Sequence, residues 1–127
     1  MAHTATRHGV DPQLALAVGW QESGWRMDVR SSAGAIGVMQ VLPATGAWMS
    51  LYEGRRLHLH RLADNATAGV RLLRVLHEET RSRRRAVGAY YQGLGAVREH
   101  GLFGETRHYV ANVFAIRHRL EAGRPPA

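Results

Sequence analysis

A helix without a polar face is the feature that most limits how this chain can fold. Asp11 supplies a side-chain cap, Pro12 suits the first helical position and Gly24 supplies a stop, so a helix is predicted from residue 12 to about residue 23. The apolar residues between these signals surround the helix: Leu14, Leu16, Ala17, Val18 and Trp20. A chain of 127 residues has room for one core, so this helix belongs at its centre.

Every other structured stretch also predicts a helix. Apolar residues recur with helical spacing, and glycine, proline or capping residues mark the ends. The expected helices are 36–42, a helix from about 44 that covers Trp48, a long one capped by Asp64-Asn65, 86–92 broken by Gly93 and Gly95, and 105–121. No stretch alternates polar and apolar residues as a strand would. The sequence therefore predicts an all-α fold.

We expect one compact domain at residues 10–122, with flexible segments at residues 1–9 and 123–127. The chain contains no cysteine, which excludes a disulfide framework and a thiol nucleophile. Residues 31–52 form the longest uncharged run, but proline, glutamine and several glycines interrupt it. We therefore expect no membrane span.

The net charge of +7 comes with seventeen arginines and no lysine, a skew that fits genome composition better than selection for guanidinium chemistry. The densest run is Arg81-Ser82-Arg83-Arg84-Arg85. This run could attract a polyanion such as nucleic acid or an anionic cell envelope, or it could form a solvated junction between helices. No aromatic residue beside it offers a stacking position for bases. The junction is favoured, and no specific nucleic acid is expected.

Glu22 falls in the last turn of the central helix, where the helix dipole disfavours an ionised carboxylate. Trp20 and Trp25 would also remove water from the carboxyl group. Both effects raise the pKa of Glu22, as a general acid requires. Arg26 would oppose them if it pointed inward. The alternative is an ordinary surface glutamate at a helix end.

A segment of small residues follows Glu22 at residues 31–40, where Gly34 and Gly37 are three positions apart and Ala33 and Ala35 flank Gly34. Small residues let a backbone approach a helix or a ligand closely. The segment could serve helix packing, a substrate cleft, or both.

The eight histidines include the alternating pair His58 and His60. No third ligand follows at a recognisable spacing, so surface histidines are favoured over a metal site. No nucleophile-elbow motif is present to support a Ser-His-Asp site.

Several segments together resemble the lytic transglycosylase SLT domain, a goose-lysozyme-like fold. They occur in the family's order over roughly residues 10–120: Glu22-Ser23-Gly24-Trp25, Ser31 to Gln40, Pro43-Ala44-Thr45, Asp64-Asn65-Ala66 with Gly69, Ala89-Tyr90-Tyr91-Gln92-Gly93, and Tyr109-Val110. The resemblance implies a compact lysozyme-like helical domain with a substrate cleft.

The resemblance also implies roles for individual residues. Glu22 matches the family's sole catalytic acid/base, and Ser31 matches a serine that hydrogen-bonds this acid and orients it. Met39 and Gln40 match residues that line the sugar cleft. Tyr90 matches a tyrosine whose hydroxyl lies beside the catalytic carboxyl.

The chain departs from the family pattern at two adjacent positions. Tyr91 stands where the family commonly has Asn, and Gln92 stands where it commonly has Ala. The first change could supply a stacking face for a sugar, or it could be a core aromatic. Both changes put the polar contacts of the neighbouring subsite in question.

The implied activity is lytic cleavage of peptidoglycan with a 1,6-anhydromuramoyl product, without cofactor or metal. Asp28 is the only acid close to Glu22 in sequence, and no motif marks it as a partner. The expected partners are glycan strands and anionic wall polymers, with the protein a monomer. The alternatives are a hydrolytic muramidase on the same fold and a non-catalytic basic module that binds wall polymer or nucleic acid.

We expect the protein to act outside the membrane, in the cell envelope or as a secreted protein, because peptidoglycan lies there. Residues 1–12 contain no apolar segment of the kind a signal peptide needs. We therefore expect a domain excised from a larger protein, either a secreted wall enzyme or a phage protein.

Overall fold

The computed structural model describes all 127 residues and contains seven α-helices and no β-strand, which confirms the all-α prediction. None of these helices is both long and apolar enough to cross a membrane. The helices are α1 (Ala2–Arg7), α2 (Pro12–Ser23), α3 (Pro43–Glu53), α4 (Leu62–Thr80), α5 (Arg83–Gln92), α6 (Leu94–His100) and α7 (Gly104–Glu121).

Helix α2 has the ends and the central position that its sequence predicts. The Asp11 side chain accepts a hydrogen bond from the Gln13 backbone N–H at 3.0 Å, and Gly24 ends the helix with a left-handed φ of 63°. The helix packs mainly against α7 and α1. Its buried residues are Leu14, Ala15, Ala17, Val18 and Gly19.

Residues 1–9, which we expected to be a flexible segment, contain helix α1. Ala5 is fully buried in the main hydrophobic cluster, and His8 contacts the Glu53 carboxylate at 3.1 Å. A helix of six residues gains little stability by itself, so packing against α2 and α4 accounts for its presence. These residues are part of the packed molecule.

The helix predicted at residues 36–42 is wrong. Ile36 and Val41 instead exchange both backbone hydrogen bonds at 3.0 and 3.1 Å across a tight turn. The turn has left-handed backbone at Gly37, with φ of 74°, and at Gln40, with φ of 50°. We call residues 36–41 the turn segment.

Asn65 connects this turn segment to α4. Its carboxamide oxygen accepts a hydrogen bond from the Met39 N–H at 2.9 Å. Its amide group donates to the carbonyls of Ile36 at 2.8 Å and Leu59 at 2.9 Å. Because Asn65 is fully buried, all three hydrogen bonds are shielded from water.

The predicted cap at Asp64-Asn65 is wrong, because α4 already begins at Leu62. Asp64 lies in the first turn and accepts hydrogen bonds from the His58 N–H at 2.8 Å and from Arg55 at 2.9 Å. These contacts fix the connection between α3 and α4.

The arginine run forms the junction between α4 and α5, as one of its two interpretations predicted. Arg81 ends α4 with a left-handed φ of 55°, and the Ser82 hydroxyl caps α5 by accepting from the Arg85 N–H at 3.1 Å. The predicted break at Gly93 is confirmed, whereas Gly95 lies inside α6, a helix that the sequence did not predict.

Replacing Asn65 with alanine is expected to lower the free energy of unfolding by at least about 3 kcal/mol, because three buried backbone groups lose their hydrogen-bond partner. Denaturant unfolding measures this change. The control is Asn112→Ala, at an exposed position of α7, with an expected effect below about 0.5 kcal/mol. A loss no larger than that of the control would contradict the role given to Asn65.

Candidate active site

Glu22 lies in the last turn of α2, partly buried, with its carboxylate against a phenol from α7. The Tyr109 hydroxyl donates to Glu22 Oε2 at 2.5 Å. Burial raises the pKa of Glu22 above its ordinary value, and the hydrogen bond from Tyr109 opposes this only in part. The result is a carboxyl group that holds its proton more firmly than a surface glutamate does.

No basic side chain pairs with Glu22. Arg26, which could have opposed the raised pKa, turns to Asp28 and contacts it at 2.8 Å, and both side chains are exposed. The same contact engages Asp28, the acid closest to Glu22 in sequence. Every other acidic side chain except Glu105 also lies against an arginine or a histidine.

Three tyrosines lie near this carboxylate, and one of them contacts it. Tyr109 is 6% exposed, and Tyr91 stacks on its ring with centroids 4.7 Å apart and an interplanar angle of 23°. The Tyr90 hydroxyl donates to the Met39 carbonyl at 2.6 Å. Burial raises the pKa of Tyr90 and of Tyr109 well above the ordinary value, and the charge of Glu22 adds to both shifts. Both phenols therefore stay protonated hydrogen-bond donors.

The tyrosine that hydrogen-bonds Glu22 is thus Tyr109, whereas the resemblance placed the hydroxyl of Tyr90 there. Tyr90 is close enough to feel the charge of Glu22, but its hydroxyl is used by Met39. In the sequence, Tyr109 recurs with the apolar residues of the last helix at helical spacing, which indicates a core position. The matching Tyr109-Val110 pair was the signal that could have identified it.

Ser31 has a different partner from the one expected. Its hydroxyl accepts from the Ala35 N–H at 3.0 Å and closes the turn before the turn segment, and the residue is exposed. It makes no hydrogen bond to Glu22. The serine that does join α2 to the turn segment is Ser23, whose hydroxyl donates to the Val38 carbonyl at 2.8 Å.

Met39 and Gln40 do not line the site with accessible side chains, because one is buried and the other hydrogen-bonds the backbone. Met39 is fully buried and packs where Gly69 leaves room, since a Cβ at position 69 would lie 2.5 Å from Met39 Cβ. The Gln40 amide donates to the carbonyls of Val29 and Gly37, each at 2.9 Å. Both residues fix the backbone that Tyr90 contacts.

The two histidines considered as metal ligands lie elsewhere. His58 and His60 are exposed, and His60 contacts Arg30 at 3.1 Å. They border a cavity of about 730 Å³ between α3 and residues 54–60, which Glu22 does not line. The structure contains no cluster of three metal-binding side chains.

Replacing Tyr109 with phenylalanine is expected to raise the pKa of Glu22, because the lost hydrogen bond stabilises the ionised form. Carbon-detected NMR titration of the Glu22 carboxyl measures the shift. The matched control is Tyr90→Phe, which removes a hydroxyl bonded to Met39 instead. An equal pKa in the wild type and Tyr109→Phe would refute the contact.

Replacing Glu22 with glutamine is expected to stabilise the protein at neutral pH relative to the wild type. The folded-state pKa of Glu22 is raised, so its ionisation opposes folding as pH rises through that pKa. The stability difference between variant and wild type should therefore be larger at about pH 7 than at about pH 3. Thermal unfolding at both pH values measures it.

Glu53→Gln is the control for this prediction, with the opposite sign. Burial tends to raise the pKa of Glu53, but His8 and Arg71 outweigh burial and lower it. That variant should be less stable than the wild type at neutral pH, and the difference should shrink as pH falls. The same pH trend in both variants would count against the environment described for Glu22.

Comparison with known proteins shows the family of this chain. Residues 1–107 match the family model of the transglycosylase SLT domain. A membrane-bound lytic murein transglycosylase C from Actinobacillus pleuropneumoniae serotype 5b (strain L20) is 32% identical over 107 residues, covering 73% of this chain and 29% of the relative. The chain thus spans less than a third of that relative's length.

Solved structures show the same fold. The lytic transglycosylase Slt from Pseudomonas aeruginosa, solved as an inactive glutamate-to-glutamine mutant, matches 97% of this chain and 24% of its own, with 28% identity and a TM-score of 0.81. A 70-kDa soluble lytic transglycosylase in complex with bulgecin A matches 98% of this chain and 25% of its own chain, with 27% identity and a TM-score of 0.81. The family model and the shared fold confirm the resemblance, and the chain belongs to the transglycosylase SLT domain family.

Proposed function

We propose that this domain is the catalytic part of a peptidoglycan lytic transglycosylase, with Glu22 as its single acid and base. The observation that carries the proposal is the setting of Glu22, which is partly buried, free of any basic partner and hydrogen-bonded by Tyr109. A general acid needs a raised pKa to hold its proton near neutral pH.

In the first step, Glu22 donates its proton to the glycosidic oxygen between N-acetylmuramic acid and N-acetylglucosamine. The bond from that oxygen to C1 of the muramoyl unit breaks, and the departing sugar takes the proton as a hydroxyl group. The substrate's own N-acetyl group stabilises the positive charge at C1. Tyr109 stabilises the carboxylate that this step creates, because its hydroxyl already donates to Oε2.

In the second step, the ionised Glu22 accepts the proton of the muramoyl C6 hydroxyl. The C6 oxygen bonds to C1 and closes the 1,6-anhydro ring, and Glu22 returns to its protonated form. One carboxyl group therefore serves both steps, and no water is consumed. The engagement of Asp28 by Arg26 supports a mechanism with one acid.

The relatives support the same assignment. Lytic murein transglycosylases of the membrane-bound C type share this domain, and an inactive mutant of the Pseudomonas aeruginosa Slt replaces a glutamate by glutamine. We infer that glycan strands of the cell wall are the partner and that the domain acts outside the membrane, in the cell envelope. The monomeric state and the contact with anionic wall polymers stay predictions.

Replacing Glu22 with glutamine is expected to lower the rate of muropeptide release by about 100-fold or more, as loss of a general acid does. Purified peptidoglycan is digested and the products are analysed by liquid chromatography and mass spectrometry. Glu99→Gln, at an exposed glutamate of α6, is the control that should retain the wild-type rate.

The products decide between the activities. Anhydromuramoyl ends are expected, whereas reducing ends would identify a hydrolytic muramidase. Near wild-type release by Glu22→Gln would remove Glu22 from the chemistry. A wild-type protein that binds wall polymer in a salt-sensitive manner and releases nothing would be a non-catalytic module.

A further inference from the structure

Tyr91 presents one face of its ring to the protein and the other to solvent. It lies near the end of α5, and 47% of the residue is exposed. The inner face stacks on Tyr109, whose hydroxyl donates to Glu22. Two contacts therefore connect this exposed ring to the reacting carboxyl group.

The hydroxyl end of the Tyr91 ring lies near the start of α7. The carboxylate of Glu105, in the first turn of α7, lies close enough to the Tyr91 hydroxyl to raise its pKa, and Glu22 adds to the shift. No arginine or histidine forms an ion pair with Glu105.

Gln92, the next residue, fixes the loop that leads into α7. Its amide nitrogen donates to the Gly101 carbonyl at 2.8 Å, and its oxygen accepts from the Phe103 N–H at 3.0 Å. These hydrogen bonds connect the end of α5 to the loop that precedes α7. Of the two adjacent departures from the family pattern, Gln92 thus fixes the loop before α7, and Tyr91 stacks on a residue of α7.

We propose that the outer face of Tyr91 is a stacking platform for an N-acetylated pyranose ring of the glycan strand, adjacent to the bond that Glu22 cleaves. The face of an aromatic ring carries negative charge density and attracts the C–H groups on the flat side of a sugar. A platform that is fixed before the sugar arrives loses little entropy on binding. The inference rests on the proposed function and adds a specific subsite to it.

The alternative role for Tyr91 is to brace Tyr109 and nothing else. The two roles differ in what they change. A stacking platform affects sugar affinity and KM, whereas a brace affects the position of the Tyr109 hydroxyl, and through it kcat and the pH profile.

The test measures binding of tri-N-acetylchitotriose by NMR titration, in the Glu22→Gln background so that no sugar is cleaved. Tyr91→Phe keeps the ring and should bind within about twofold of the parent protein. Tyr91→Asn removes the ring and should weaken binding roughly three- to tenfold. Tyr91→Leu keeps apolar contact with Tyr109 without an aromatic face, and it should weaken binding to a similar extent.

Tyr52→Asn is the matched control. Tyr52 lies on α3, is 49% exposed and does not contact Glu22, so its loss should leave the affinity unchanged. In the wild-type background, Tyr91→Asn should raise KM for peptidoglycan with kcat within about twofold.

Three results would overturn the platform: no binding of the trisaccharide by the parent protein, equal affinity in the Tyr91 variants and the Tyr52 control, or an altered kcat and pH profile with unchanged KM. Each would leave the role of Glu22 standing, because cleavage by the wild type and its loss in Glu22→Gln are measured separately. Thermal unfolding of each variant shows whether the fold is intact.

Discussion

The site depends on the three hydrogen bonds of one buried side chain. Asn65 binds the backbone of Met39, Ile36 and Leu59, and it does so in the first turns of α4, where water does not reach. The turn segment forms two backbone hydrogen bonds of its own between Ile36 and Val41. The Asn65 amide adds the partner of the Met39 N–H and connects the segment to α4. Tyr90 then bonds the Met39 carbonyl, and Ser23 bonds the Val38 carbonyl next to Glu22. The position of Glu22 therefore depends on contacts between residues that are far apart in the sequence.

Charge is distributed around the molecule in a way that isolates Glu22. Most acidic side chains lie against arginine or histidine, which stabilises their ionised form. Burial favours the protonated form of Glu22, and the hydrogen bond that the Tyr109 hydroxyl donates stabilises its carboxylate. Glu22 has no basic partner, although the chain contains seventeen arginines.

The sequence predicted correctly those helix ends that are set by a capping residue or a glycine at the end itself. The cap at Asp11, the stop at Gly24 and the break at Gly93 are all present. The turn segment was predicted as a helix, because the partner that prevents a helix is Asn65, 26 positions beyond Met39. The Tyr109 hydroxyl was missed for the same reason, since its acceptor lies 87 positions earlier. The spacing of apolar residues shows which face of a helix is buried, but it does not show which group a tyrosine hydroxyl on that face will hydrogen-bond.

The space left by the missing side chain of Gly69 has a consequence for how this protein can vary. An alanine there would bring its methyl carbon within 2.5 Å of Met39 Cβ, an atom attached directly to the backbone of the turn segment. A rotamer change cannot move that atom away, so the backbone beneath the active site would have to shift. Substitutions at these two positions are therefore coupled, and a larger residue on α4 would require a compensating change 30 residues earlier in the chain.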